Sequence, residues 1–260
     1  MSLIRRARVM GGSGFNPSGF VPAAVSPMSL VLSAASSQYL TRTWGNAPTD
    51  ATKATISFFL KRLSVQAALA YFYDGGDWFG DSASEAPVRF EASDTLAAEA
   101  FHGSFVYDFR SSNTITDTTT WHHLLTAYDS TQATAANRIH IYLDGTEVSY
   151  ATQAAPSQNA SFHLTDNGVI SSIGRNQAGN SRFIDAKLAY FYFIDGQVLT
   201  PSSFTSGTGA GTTHPVTYTG TFGTNGFFLD FRNNNTSDKS GNGNDWTQNN
   251  SPTFSTDVPV

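Results

Sequence analysis

Residues Trp121–Val148, WHHLLTAYDSTQATAANRIHIYLDGTEV, decide the fold. From Arg138 to Leu143, the apolar Ile139, Ile141 and Leu143 alternate with Arg138, His140 and Tyr142, the period of two of a strand with one buried face. Asp144-Gly145 follows. Both residues tolerate positive φ, so the pair suits a two-residue type I′ hairpin turn, and Thr146, Glu147 and Val148 begin the return strand. The apolar run after Trp121 supplies an antiparallel neighbour.

Outward from this hairpin the same period recurs. Upstream, Gln38 to Thr43, Ala54 to Lys61, Ala68 to Tyr73, Pro87 to Ala92 and Gly103 to Arg110 read as strands, with Ile56, Phe58 and Leu60 on one face and Phe105, Tyr107 and Phe109 on another. Downstream, Val169 to Ile173, Lys187 to Ile194 and Phe227 to Phe231 continue the pattern, and residues 151–160 read as a polar loop. An aromatic strand ending in Asp-Gly occurs at Asp74-Gly75, Asp144-Gly145 and Asp195-Gly196, which reads as repeated hairpin chemistry. No segment carries a convincing helical period. Thr200 and Pro201 suit the N-cap and first position of one short turn. The chain is therefore expected to be all-β.

Three further runs narrow the reading: Ser172-Ile173-Gly174-Arg175-Asn176 leading into Phe183–Gly196; Gly226-Phe227-Phe228-Leu229-Asp230-Phe231; and Ser240-Gly241-Asn242-Gly243-Asn244-Asp245-Trp246. Together with Trp121–Val148 they resemble the concanavalin A-like lectin/glucanase superfamily, in its laminin-G and pentraxin-like branches, and modules found in marine bacteriophage virion proteins. The resemblance covers roughly residues 38 to 250. It implies a two-sheet antiparallel jelly-roll sandwich whose first and last strands, Tyr39–Thr43 and Phe227–Phe231, pair. The expected organisation is an extended N-terminal arm (1–35), the sandwich (36–250) and a C-terminal tail (251–260). Gly11, Gly12, Gly14, Pro17, Pro22 and Pro27 keep the arm from forming regular structure. Docking on the parent domain and docking on neighbouring subunits both fit such an arm.

Composition restricts the function. Charged residues make up 13% of the chain, about half the usual ~25%, so much of the surface is Ser, Thr, Asn and Gly. A formal charge of −5 gives nucleic acid no general attraction. No apolar run approaches the ~20 residues of a membrane span, and Arg5, Arg6 and Arg8 precede Gly and Pro where a secretory leader would carry an apolar region. With no cysteine, disulfides and thiolate metal sites are excluded.

The acidic residues argue against catalysis. The only glutamates are Glu85, Glu91, Glu99 and Glu147, and none lies in the alternating Glu-x-Asp-x-(x)-Glu strand motif of the glucanases, although a glycosidase needs two carboxyls facing one cleft. No Gly-x-Ser-x-Gly elbow joins a strand to a helix. His122 and His123 point to opposite faces of a strand and so cannot share an ion; His123 with His140 is the pairing left to consider.

Two loops carry candidate binding residues. In Asp74-Gly75-Gly76-Asp77-Trp78-Phe79-Gly80-Asp81, the carboxylates of Asp74, Asp77 and Asp81 beside Trp78 suit a glycan or Ca²⁺, and turn-forming Asp and Gly around one anchoring aromatic explain the run equally. From Asp238 onward, Asp238, Ser240 and Asn242 occupy positions one, three and five of a calcium loop, followed by Gly243 and Asn244; Asn249 stands where an acidic ligand is usual. Ca²⁺ at this loop and a metal-free Asn/Gly turn are both compatible with it, and no cofactor is required.

The expectation is a non-enzymatic phage virion protein, assembled in the host cytoplasm: a capsid-surface decoration, head fibre or tail appendage. It would be homo-oligomeric and attach to other virion proteins through residues 1–35, without nucleic-acid or membrane partners. The alternative is a lectin-like adhesin for host-surface glycans, with glycan hydrolysis a distant third.

Overall fold

The computed structural model describes residues 27–80 and 84–260. Its strands, in chain order, are β1 (Ser29–Leu32), β2 (Tyr39–Thr43), β3 (Lys53–Arg62), β4 (Ala70–Asp74), β5 (Pro87–Phe90) and β6 (Thr95–His102). There follow β7 (Ser104–Thr114), β8 (His122–Asp129), β9 (Ile139–Leu143), β10 (Thr146–Glu147), β11 (Tyr150–Ala154) and β12 (Ile170–Ile173). The last are β13 (Ala186–Asp195), β14 (Thr205–Ser206), β15 (His214–Pro215), β16 (Phe227–Leu229), β17 (Thr247–Asn249) and β18 (Thr253–Ser255). The helical segments among the described residues are single 3₁₀ turns, one at Pro201–Ser203 with Thr200 in the N-cap position.

Two eight-stranded antiparallel sheets form a sandwich. The first runs β10-β9-β8-β3-β13-β1-β18, with β16 also on β13, and the second runs β11-β7-β6-β5-β4-β12-β2-β17. β1 and β16 share one side of β13, β1 opposite Ala186–Leu188 and β16 opposite Phe191–Phe193. Tyr190 lies between these stretches at φ 49°, where the β13–β3 register shifts. On both open sides of the sandwich the chain crosses between sheets: β10 continues into β11 through Val148 and Ser149, and β17 into β18 across a corner holding the buried Pro252.

Alternation puts Ile56, Phe58 and Leu60 of β3 and Leu124 and Tyr128 of β8 into the space between the sheets, where they meet Phe72, Val88, Phe90, Tyr107 and Phe109 from the second. Phe58 stacks on Phe191 at 4.8 Å, and Phe227 lies against Phe191, Phe193 and Trp246. Each fully buried side chain of this size contributes about 1.5–3 kcal/mol, so the interior is the main source of stability. The outward face of the first sheet is covered in turn by residues 197–222. Phe204, Leu199, Tyr218 and Phe222 pack there on Leu125, Ala127, Tyr192 and Ile194. That third layer explains why Thr55, Ser57 and His123, which point away from the core, are nevertheless buried.

The organising hairpin forms as expected, with Asp144 at φ 50° and Gly145 at φ 81° joining β9 to β10. Other expectations need correction. The arm and tail boundaries do not coincide with the sheets. Residues 1–26 of the expected arm lie outside the described residues, but Ser29–Leu32 is a strand seated between β13 and β18, and the expected tail contains β18. Tyr39–Thr43 pairs with β12 and β17 and not with Phe227–Phe231, which belongs to the opposite sheet. Residues 150–154 form the edge strand β11, paired with β7, in the stretch read as a polar loop. Phe105 is 47% exposed because the β6–β7 register shifts between Ala100 and Phe101, so only Tyr107 and Phe109 of its trio reach the core.

Candidate functional site

The recurring Asp-Gly pairs do more than turn the chain. Asp74 and Asp195 end strands, Asp144 directly follows one, and all three are buried acceptors. Only Asp144-Gly145 makes a hairpin; its carboxylate takes the His123 amide and a His122 ring nitrogen, both at 2.8 Å. Asp195 Oδ2 accepts the amides of Thr49 at 2.7 Å and Asn225 at 2.9 Å. Asp74 is the most enclosed. Its Oδ1 accepts Gly76 N at 3.0 Å and Ala86 N at 3.1 Å, and its Oδ2 accepts Gln177 N at 2.8 Å and Asn176 Nδ2 at 3.4 Å. Burial outweighs these donors and, with the nearby Glu85, raises the Asp74 carboxyl to about 6. Asp74 therefore holds two loops together from beneath and does not face a ligand, which corrects its expected role.

The Asp74-Gly75-Gly76 sequence suits that position. Gly76 sits at φ +95°, and a Cβ there would lie 2.1 Å from the Ile170 carbonyl. The loop beyond β4 thus runs directly against the 163–170 segment. There the Trp78 ring stacks on His163 at 4.7 Å, and His163 is itself bonded to Asp166 at 2.6 Å. Trp78 is half-buried and packs against the core; the neighbouring Phe79 is 60% exposed and stacks on His102 at 3.9 Å. Phe79, not Trp78, offers a free ring face. Asp77 Oδ1 accepts the Gly80 amide at 2.9 Å, and Asp81 lies outside the described residues.

Behind this loop, the outward face of the second sheet carries a continuous polar network. Arg110 joins Asp108 and Glu99, each at 2.7 Å, and Arg89 joins Glu99 through Nε at 2.8 Å and Glu91 at 2.8 Å. The buried Tyr71 ring lies between the guanidiniums of Arg89 and Arg182, each 5.5 Å from its centroid. Its hydroxyl donates to Glu85 Oε2 at 2.9 Å, and Glu85 also takes Arg182 at 3.2 Å and the Asn176 side-chain amide. Asn180 (φ 43°) and Arg182 (φ 58°) bend the 176–182 loop back over the sheet in backbone conformations that favour glycine.

Two hollows flank this loop and share Ala178. One, of about 330 Å³, is lined by Asp77, Gly168, Val169, Ile170, Gln177 and Ala178. The other, of about 280 Å³, is lined by residues that include Glu85, Phe101, Asn176, Ser181 and Arg182. Fixed polar groups beside an exposed aromatic ring can orient and stack a polyhydroxylated ring. Of the expected residues, Asp77 lines a hollow, Trp78 supports its rim and Asp74 lies beneath both. Glu85, Phe101, Asn176 and Arg182 were not legible as site residues, since they come from the end of the loop before β5, from β6 and from the 176–182 loop, joined only by sheet topology.

The expected calcium residues do converge, but on one another. Asp238 accepts the amides of Phe228, Ser240 and Asn244 and the Ser240 hydroxyl, at 2.7–3.0 Å. Asn242 and Asn244 donate their side-chain amides to the Gly226 carbonyl at 2.9 and 2.8 Å, and the Arg42 guanidinium donates to Asn244 Oδ1 at 2.5 Å. With its oxygens so engaged, the loop is expected to give the same melting temperature in calcium and in chelator. A calcium-dependent rise that Asp238→Ala abolishes would return the loop to cation binding.

His122 and His123 diverge, the latter meeting Ser57 Oγ at 2.8 Å, while His140 faces Ala127 and bonds Glu147; His123 and His140 are not brought together. Among the described residues, no group of three or more His, Cys, Asp or Glu is placed to hold a metal ion.

A family profile described as the concanavalin A-like lectin/glucanases superfamily matches residues 35–203. No curated protein matches the sequence. Among solved structures, a putative carbohydrate binding protein from Bacteroides ovatus is similar at 13% identity and a TM-score of 0.50, over 90% of this chain and 61% of that one. A heptameric SAP-like pentraxin from Limulus polyphemus is similar at 13% identity and a TM-score of 0.45, over 68% of this chain and 80% of that one. The CBM40 module of a Ruminococcus gnavus IT-sialidase, bound to α2,3 sialyllactose, is similar at 12% identity and a TM-score of 0.40, over 63% of this chain and 85% of that one. At these identities the likeness is one of fold.

Proposed function

We propose, on the premise that this chain belongs to the concanavalin A-like lectin/glucanases superfamily, that it is a non-enzymatic glycan-binding module. The observation that carries the reading is the pair of hollows around Ala178, walled in part by hydrogen-bonded polar side chains, with the exposed Phe79 ring on the same loop as Asp77 of the first hollow. Glu85, the carboxylate nearest the second hollow, is engaged by Tyr71, Arg182 and Asn176, an arrangement suited to holding a shape and not to exchanging protons. A glycan array with the purified protein is expected to give saturable binding to at least one oligosaccharide and no release of reducing sugar. Phe79→Ala is expected to weaken that binding about tenfold, equivalent to about 1.4 kcal/mol. Binding unchanged by this substitution would place the site elsewhere, and turnover would sink the non-enzymatic reading.

The setting proposed is the surface of a phage particle, as capsid decoration, head fibre or tail appendage, in a homo-oligomer attached through residues preceding β1. It is supported by the resemblance of Tyr192–Gln197, Gly226–Phe231 and Ser240–Trp246 to virion modules and by the low charge of the chain. Particles labelled with antibody to this chain and viewed by electron microscopy test it. Label on the particle with no sugar binding would leave a purely structural decoration.

A further inference from the structure

We propose that Glu85 is a specificity-determining residue of the candidate site: it occupies the cation there and so reserves the hollows for neutral glycans, against those that carry carboxylate or sulfate. The inference rests on the glycan-binding reading and adds to it the class of ligand. Among the described residues, the charged side chains lining the two hollows are Asp77 in the first and Glu85 and Arg182 in the second, so two carboxylates stand against one guanidinium. The rest of both linings is uncharged. A carboxylated or sulfated sugar is held through charge-assisted bonds from an arginine or lysine with donors to spare.

Arg182 is already engaged. Its Nη1 reaches both Glu85 oxygens at 3.2 Å and also the Tyr71 hydroxyl. Glu85 is held in place to meet it: Oε2 accepts the Tyr71 hydroxyl at 2.9 Å and the Asn176 side-chain amide, and its backbone exchanges bonds of 3.0 and 2.9 Å with Phe101. The other guanidiniums of this face are committed as well. Arg89 and Arg110 pair with Glu91 and Glu99, and Arg110 with Asp108 too. Arg175 is buried over the Tyr39 ring at 3.7 Å and donates to Gln177 at 2.6 Å. A sugar carboxylate arriving at Arg182 therefore lands beside the Glu85 carboxylate. The Arg182 and Glu85 side chains are 39% and 18% exposed, so water screens the resulting repulsion only in part. A neutral hydroxyl meets no such penalty, since it can donate to either carboxylate.

The test is an array of matched pairs, each a neutral oligosaccharide beside its uronate, sialylated or sulfated derivative, probed with the whole chain. The acidic member of each bound pair is expected to bind at least about tenfold more weakly at low salt. Raising sodium chloride from about 0.01 M to about 1 M shortens the screening length from about 30 Å to about 3 Å, and the gap within each pair is expected to narrow. Glu85→Gln keeps an acceptor for Tyr71 and Arg182 but removes the charge. It is expected to raise the ratio of acidic to neutral binding about tenfold. Acidic members that bind as well as their neutral partners would overturn the inference and leave the glycan-binding reading standing. A neutral preference that neither salt nor Glu85→Gln moves would overturn the role of Glu85. Should the variant fail to fold, the salt series of the unsubstituted chain still decides. Silence across the whole array would sink the glycan-binding reading, and this specificity with it.

Discussion

Removing residues 1–35 is expected to unfold the protein, whereas removing residues 1–26 is expected to leave it folded. β1 sits between β13 and β18, and Leu30 and Leu32 are wholly enclosed in the core. Losing both side chains costs about 1.5–3 kcal/mol each. The same cut leaves the inner side of β18 without a partner, exposes Ala186–Leu188 along β13, and removes the Ser29 hydroxyl that donates to the Asp257 carbonyl at 2.7 Å. The total, on the order of 5 kcal/mol or more, is comparable to the whole stability of many domains. Far-ultraviolet circular dichroism with a urea titration separates the two truncations. A folded, cooperative chain beginning at residue 36 would mean that β1 is dispensable. Particle-assembly experiments therefore need the shorter truncation, since the longer one confounds attachment with folding.

The second large effect is acid sensitivity centred on His123. Its ring is buried against Phe59, at 4.9 Å, and beside the Ser57 hydroxyl, and burial pushes it from 6.5 down to about 3. The folded protein keeps this histidine neutral while the unfolded chain protonates it. Its contribution is complete above pH 6.5 and is lost progressively as pH falls toward 3, amounting to about 4–5 kcal/mol over the full span. Urea midpoints measured between pH 7 and pH 4 are expected to fall steeply, above the range in which most carboxylates titrate. His123→Gln, which can still bond Ser57, should be less stable at pH 7 but much flatter over this range. Parallel curves for the two proteins would move the acid sensitivity to another group.

The parts of the fold that could be read from sequence are those where side chains declare their face. In β3, β8, β9 and β13, large apolar residues alternate, and Asp144-Gly145 names its own turn. β6 was missed because its inward residues include Ala98 and Ala100 and its outward ones Ala97 and Glu99, so neither size nor polarity marks a period. β1, β11, β17 and β18 are short, and only their neighbours make them strands. The candidate site was half legible. Asp77 and Trp78 were picked out by type, but burial cannot be read from an Asp-Gly pair, so Asp74 was taken for a surface ligand. Arg182, Asn176 and Glu85 carry no local signal, because their meeting depends on where a loop bends back across a sheet.

The two crossings between sheets, at Val148–Ser149 and around Pro252, also decide how copies of this molecule can meet. The strands left at the four margins are two, five, three and three residues long, for β10, β11, β17 and β18 respectively. An incoming strand would find few free backbone groups before the chain turned away into the other sheet, so these margins make poor templates for strand addition or fibril growth. Crowding many copies on one particle, or overproducing them in one cell, then carries little risk of sheets zipping together, and any ordered array must be built from faces and loops.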